Sequence, residues 1–241
     1  MGRFKVALLM AVVLFTVFAV GAFAEDSMLK ITEKVGKVLV RAAGTTEFVE
    51  ANVGQPLNPK DFIKTGDDGK VLLEFPNKSG FTLKPNTEMS IEELVWDNMA
   101  KKVGVNMTVG QMKTLINKLD TPSEFKVKTP SAICGARGTW WVTNVSTTGA
   151  TEVYVGENAM DFSNPDGTVN YSVTEGNTSS SDENGNMIQP SGASGELVNS
   201  MTGGFDVGMT AEPYSEAEGG QGEGYEFEAP EITPEETASR I

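Results

Sequence analysis

Carboxylates, one thiol, one prominent guanidinium and a pair of adjacent indoles are the groups in this sequence whose types and spacing could do chemistry. Asp61, Asp67 and Asp68 could offer oxygens to calcium, as could Asp182, Glu183, Asn184 and Asn186 in a glycine-containing loop. A calcium loop needs a fixed ladder of oxygen ligands, and no D-x-D-x-D-G run with a terminal Glu is present. Turn formation and solubilising charge account for both groups. Glu92 and Glu93 have the residue types of a glycosidase pair, but neighbours on a strand point to opposite faces. Cys134 is the only cysteine, so no intramolecular disulfide can form. With no histidine to pair with, its thiol reads as a buried structural group. The chain has no histidine anywhere, which removes the commonest general base, the usual serine triad and ordinary zinc sites. The residues therefore predict no catalytic group, no metal site and no cofactor, and the chain reads as a non-enzyme.

Arg137, Trp140 and Trp141 sit in Phe125–Val145, FKVKTPSAICGARGTWWVTNV, around which the chain is organised. β-Branched and aromatic residues flank an irregular centre, so the stretch predicts two short strands joined by a glycine-containing turn. Pro130 can end the first strand because it lacks a ladder N–H, and Gly135 and Gly138 allow sharp geometry or close approach of another strand. Arg137 is expected to bond carbonyls or a carboxylate inside the domain, recognition of an external ligand being the alternative. Trp140 and Trp141 must point to opposite faces if they lie on a strand, which makes one a core anchor and leaves recognition open to the pair.

Net charge is −14, and it is uneven. Residues 191–241 carry eleven acids and only Arg240 as a base, a net −10. Such a balance excludes nucleic acid as an expected partner and disfavours anionic membrane surfaces, both of which need clustered Lys and Arg. At the other end, Arg3 and Lys5 precede an apolar run, Val6–Val20, that closes on Gly21-Ala22-Phe23-Ala24. This predicts a secretory signal over residues 1–24, cleaved to start the mature chain at Glu25. The run is shorter than the ~20 residues of a spanning helix, so no stable membrane insertion is expected after cleavage.

Between these ends, alternation of apolar residues predicts strands over 28–49, 71–75, 81–84 and 89–96, with Asp67-Asp68-Gly69 as a hairpin turn. Thr151–Val155 and Asn158–Phe162 read as a pair across Gly156, and Thr168–Thr174 as another strand. Residues 109–119 are ambiguous: Val109, Met112, Leu115, Ile116 and Leu119 have helical spacing. From Ser191 the composition turns to Gly, Ser, Glu and Pro and predicts a disordered acidic tail over 191–241, with Leu197–Val198, Phe205–Met209 and Tyr225–Phe227 able to dock on a partner or on the domain. The expected architecture is an all-β roll or sandwich of short antiparallel strands over residues 25–190.

The stretch at Phe125–Val145 resembles the closing signature of the FecR domain family through Phe125, Val127, Thr129, Pro130, Ala132, Arg137, Gly138, Thr139 and Val142, with Cys134 and Gly135 as minor departures. A second block upstream, VGKVLV followed by GQPLNPKDFIKTGDDGKVLLEFPNKSGFTLKPNTEMSI, resembles the family's opening pattern, and the two together span about Val35 to Val155. The resemblance implies an extracytoplasmic all-β module in which Thr129, Pro130, Arg137, Gly138 and Thr139 are mainly structural. It also implies a strand pair across residues 98–119, which favours strand over helix there. Family members of the signalling type carry a sigma-binding segment before a transmembrane helix; with only a signal peptide at its start, this chain is expected to be a stand-alone secreted form. The expectation is thus a non-catalytic binding or scaffolding module of the periplasm or cell surface, its partner an envelope protein or glycan, with a sensor acting through a separate membrane partner as the alternative. The intact mass of the protein processed in its native cell should correspond to a chain beginning at Glu25; a mature form retaining residues 1–24 would contradict the signal reading.

Overall fold

Period-two burial runs through most of the chain, and it produces sixteen strands and a single helix among the residues that the computed structural model describes, 28–118 and 123–205. The strands are β1 (Lys30–Val35), β2 (Val38–Arg41), β3 (Val49–Glu50), β4 (Phe62–Thr65), β5 (Lys70–Glu74), β6 (Gly80–Leu83), β7 (Glu88–Trp96) and β8 (Lys101–Leu115). They continue as β9 (Ser123–Lys128), β10 (Ile133–Ala136), β11 (Trp140–Val145), β12 (Thr151–Val155), β13 (Ala159–Ser163), β14 (Asn170–Thr174), β15 (Asn177–Ser181) and β16 (Met187–Gly192). Helix α1 (Gly195–Thr202) closes the described chain. The fold is all-β, as expected. No helix among the described residues is long and apolar enough to cross a membrane. The expected signal segment lies outside the described residues.

Pairing assembles two layers that share one strand. The first runs β1-β5-β6-β8-β11-β12-β15-β16. The second runs β3-β2-β4-β7-β8-β9-β10-β13-β14. Strand β8 belongs to both: Lys101–Val109 pairs in the second layer and Gly110–Leu115 in the first. All pairs are antiparallel except β8 with β9. One core fills the space between the layers, with Ile31, Leu73, Phe81, Met112, Trp141 and Val155 from the first and Val40, Ile63, Val105, Phe125, Cys134 and Phe162 from the second.

Hairpins within a layer, such as β5–β6 and β11–β12, alternate with corners that cross between layers, such as β4 to β5 and β12 to β13, and corners bond to one another. Gly66 N donates to Lys37 O at 2.8 Å and Asn86 N to Gly66 O at 3.0 Å. Thr87 Oγ1 accepts from Gln111 N at 3.1 Å. Further along, Asn158 Nδ2 donates to Gly138 O at 2.9 Å and Glu175 N to Asn158 O at 2.7 Å. Two sequence readings fail at these corners. Asp67-Asp68-Gly69 is a turn, but β4 and β5 do not pair, so it is a layer crossing and not a hairpin. Gly69 is required there because a Cβ would collide with the Lys37 carbonyl, not because its φ is positive. Likewise β12 and β13 lie in different layers on either side of Gly156.

Residues 101–115 form one continuous strand, neither a helix nor a strand pair. The helical spacing arises because the buried phase switches: Val103, Val105 and Met107 face the core before the bend, Met112 and Thr114 after it. Gly110 makes the switch with φ +106°, where a Cβ would lie 2.5 Å from Thr87 Cα. The boundary expected at residue 190 falls inside β16, and ordered chain continues through α1, whose Met201 is buried and accepts from Gln111 Nε2 at 3.5 Å. One well-placed methionine and a Ser194 N-cap, bonded by Leu197 N at 3.2 Å, hold a segment whose composition alone predicts disorder. The rest of the expected tail, 206–241, lies outside the described residues. Gly110→Ala should lower stability by about 1–3 kcal/mol from backbone strain alone, with the Thr87 collision adding to it. Gly44, at φ +76° with open space around it, is the control; equal losses of thermal midpoint at both positions would show that the approach to Thr87 contributes nothing.

Candidate recognition surface

The Phe125–Val145 stretch forms three strands, β9, β10 and β11, rather than two. Pro130 is exposed between β9 and β10, and the buried Thr129 beside it is the anchor. Thr129 Oγ1 accepts from Ala132 N at 2.9 Å and lies 2.7 Å from Thr151 Oγ1. Ser131 Oγ donates to Thr151 Oγ1 at 3.0 Å, and Ser181 Oγ to Ser131 O at 2.9 Å. This hydroxyl cluster ties the β9–β10 turn to β12 and β15. At the other end of β10, Gly138 takes φ +77° and the buried Thr139 donates through Oγ1 to the Glu157 carbonyl. Thr129, Gly138 and Thr139 therefore hold the layer crossing.

Arg137 departs from the expected internal bonding. It is exposed and makes no hydrogen bond or ion pair with the described residues, acting on Glu124 only through space. The reason is register: Gly135 and Arg137 point to the outer face of the second layer, while Cys134 and Ala136 point to its inner side. Across the strands Gly135 stands between Lys126 and Asp161. Because a glycine leaves that face empty, a depression of ≈ 370 Å³ opens there, with Glu124, Lys126, Arg137, Asp161 and Ser172 around it. Glu124 pairs with Lys126, and this hydrogen bond holds its carboxyl below the usual range. A Cβ on Gly135 would meet nothing nearer than Phe125 O at 3.6 Å, so the gap is not imposed by strain. Composition did not single out Glu124, Lys126, Asp161 or Ser172; alternation read outward from Gly135 could have.

The two tryptophans do point to opposite faces. Trp141 is fully buried and donates to Thr143 Oγ1 at 3.1 Å, so it is a core anchor and not a ligand platform. Trp140 is half-buried on the outer face of the first layer, on Leu72 and Leu115, edge-on to Tyr154 at 6.0 Å and 4.8 Å from Lys113 Nζ. Burial pushes the Lys113 ammonium below its ordinary pKa. Trp140 and Arg137 thus lie on different layers and do not form one site.

The other polar candidates are committed elsewhere. Cys134 is buried, and loss of solvent pushes its thiol up to about 12, far from a nucleophile's range. Asp61 uses both oxygens on backbone N–H groups, Ala43 at 2.8 Å and Asn58 at 2.9 Å. Asp182 accepts from Asn184 N and Asn186 N at 2.9 and 2.8 Å in a tight turn. A β-bulge brings the Cβ atoms of Glu92 and Glu93 toward the same glycine, Gly104, so they do not point apart as a regular strand requires. Glu92 is nonetheless bound by Lys60 at 2.6 Å, which lowers its pKa, the opposite of what an acid catalyst needs.

Arg137→Ala should leave stability within about 0.5 kcal/mol, as for a surface site without partners. Thr129→Val, which strands the Ala132 N–H, should cost about 1–3 kcal/mol. Thermal unfolding of both checks the division between an outward arginine and an inward threonine.

Comparison with known proteins finds one family model that matches part of the chain and two solved structures that align with it at low identity. The FecR protein family model matches residues 61–161, from the start of the β4 region into β13. Two crystal structures of a candidate anti-sigma factor from Parabacteroides distasonis align at TM-score 0.47 with 14% and 13% identity, over 57% of this chain and 62% of theirs. The chain therefore spans less than two thirds of that protein's length. No curated protein matches the sequence.

Proposed function

With residues 61–161 matching the FecR protein family as the premise, we propose that this chain is exported to the periplasm or cell surface and acts there as a non-catalytic binding module. The observation that carries the reading is Arg137, turned outward beside a depression that Gly135 leaves open. An arginine fork without a hydrogen-bond or ion-pair partner among the described residues is suited to a carboxylate or another planar acceptor. The rim carries both signs, Glu124 and Asp161 against Lys126 and Arg137, which suits a protein surface of mixed charge better than a uniformly charged polymer. The one aromatic residue of the lining, Phe125, is buried, so a glycan, the other envelope partner, would find no exposed ring to stack on there.

A sensor that relays through a separate membrane partner is the second reading, supported by the family match alone. A sigma-factor or outer-membrane receptor gene beside this one would favour it. The test of the binding reading is a crosslinking pull-down from the native envelope with the tagged protein, Arg137→Ala and Gly135→Leu. The parent should recover a protein partner, and both variants should lose most of it while keeping their thermal midpoints. Undiminished capture by both variants would remove the depression from the reading. Hydrolytic turnover abolished by a single carboxylate substitution would overturn the non-catalytic assignment.

A further inference from the structure

A second outward-facing arginine, Arg41 at the end of β2, is held in a way that Arg137 is not. Its guanidinium carbon lies 4.1 Å from the centre of the Phe62 ring and 5.3 Å from that of Phe48, so two aromatic rings fix it. Its Nε is buried and makes no hydrogen bond among the described residues. The carboxylates around it are committed elsewhere. Glu50 binds Lys34 at 2.8 Å, Glu92 binds Lys60 at 2.6 Å and Glu88 binds Lys64, while Asp61 holds the Ala43 and Asn58 amides. Glu47 forms no ion pair among the described residues and stands one residue out of phase with Phe48. Arg41 is thus partly desolvated and lacks a counter-charge, whereas Lys34, Lys60 and Lys64 have theirs.

Beside Arg41 the second layer ends in an open strand edge. Residues 42–50 are exposed without interruption, and among the described residues β3 pairs on one side only, with β2. Ala51 N donates to Val38 O at 2.9 Å, so the hydrogen-bonded pairs of this ladder are Val38 with Ala51 and, by alternation, Val40 with Val49. The N–H and C=O groups of Phe48 and Glu50 consequently point away from β2, and no described strand takes them. Phe48 and Val49 are 42% and 56% exposed, which makes this an apolar edge of the kind that pairs with another chain.

We propose that an acidic strand of another protein adds to β3, exchanging backbone hydrogen bonds with Phe48 and Glu50 and placing a glutamate on Arg41. The two halves of the site ask for the same ligand: the edge supplies main-chain bonds to any extended segment, and the uncompensated guanidinium selects one that carries a carboxylate. Register brings the halves together. Val40 lies opposite Val49, so Arg41 lies opposite Phe48, and the residue of the added strand facing Phe48 shares their side of the sheet. Two strand spacings, about 10 Å, separate that residue from Arg41, and a glutamate lying across the Phe48 ring meets the arginine between them. Apolar neighbours of the glutamate would find Val49 and a depression of ≈ 430 Å³ that Ala42, Thr46 and Val49 help to line. Strands β4, β7, β8 and β9 stand between β2 and the β10 glycine of the other depression, so this edge is a separate site.

The test titrates the isotope-labelled full chain, followed by NMR, with the capped peptide Ac-TVEVTK-amide, with its glutamine counterpart and with a version N-methylated at the glutamate. The glutamate peptide should shift the Phe48 and Glu50 amides and the Arg41 Nε–H. The glutamine peptide should bind at least tenfold more weakly because it lacks the charge, and the N-methylated one likewise because it cannot donate to the edge. Arg41→Gln should lower the affinity for the glutamate peptide to that for the glutamine peptide. Since Arg41→Gln could also disturb β2, the comparison of peptides on the unaltered protein tests the charge independently. Equal binding of the three peptides, or no shift at these positions at millimolar peptide, would overturn the proposal. Shifts confined to the surroundings of Arg137 would overturn it too, while leaving the reading of the Gly135 depression in place. Shifts of Phe48 and Glu50 that grow with protein concentration in the absence of peptide would overturn the acidic partner and assign the edge to a second copy.

Discussion

Strand β8 has to serve two layers, and Gly110 is where it does so. Before the bend the strand pairs with β7 and β9, after it with β6 and β11, so most of the sheet hangs on this one connection. The bend is not a passive kink. Thr87 presses against Gly110 and binds the next residue twice, its Oγ1 accepting from Gln111 N and donating to Gln111 O at 3.2 Å. A buried hydroxyl thus satisfies backbone groups that the change of layer would otherwise leave unpaired. The neighbouring corners repeat the device with other groups, Asp68 on Lys37 N at 3.0 Å and Asn158 on Gly138 O.

Much of this was legible in the sequence. Alternation located most of the strands, and a tryptophan pair on one strand necessarily divides between two faces, as Trp140 and Trp141 do. What the sequence could not show was which turns reverse a strand and which carry it into the other layer. Asp67-Asp68-Gly69 has the composition of a hairpin, yet its neighbours pair with strands elsewhere, because turn chemistry is local and layer choice is not. The ambiguity at residues 109–119 had the same origin: a phase switch in a strand imitates helical spacing.

The motif shows a related division. Thr129, Gly138 and Thr139 are explained by what they hold together, whereas Arg137 is fixed by backbone register alone and its side chain is left outside. A pattern of residue types cannot separate these cases, since anchor and outward group alternate along the same few positions. The missed neighbours, Glu124, Lys126 and Asp161, come from strands that meet only after pairing. They carry no signal near Arg137 in the chain.

Among the described residues, bent strands laid side by side end at β3 and at the 54–57 segment that bonds the outer edge of β1 on one flank, and at β14 and β16 on the other. Growth of such a molecule is accretion. An added strand that turns the same corner finds a ready edge in each layer and an existing row of corner bonds to join, so it need not disturb what is already built. The family-matched segment stops at residue 161, inside β13, and the chain goes on through β14, β15 and β16 by the same rule. Size is therefore a weakly constrained property of this architecture. A lineage can lengthen or shorten its flanks by whole bent strands while the bend at Gly110 stays where it is.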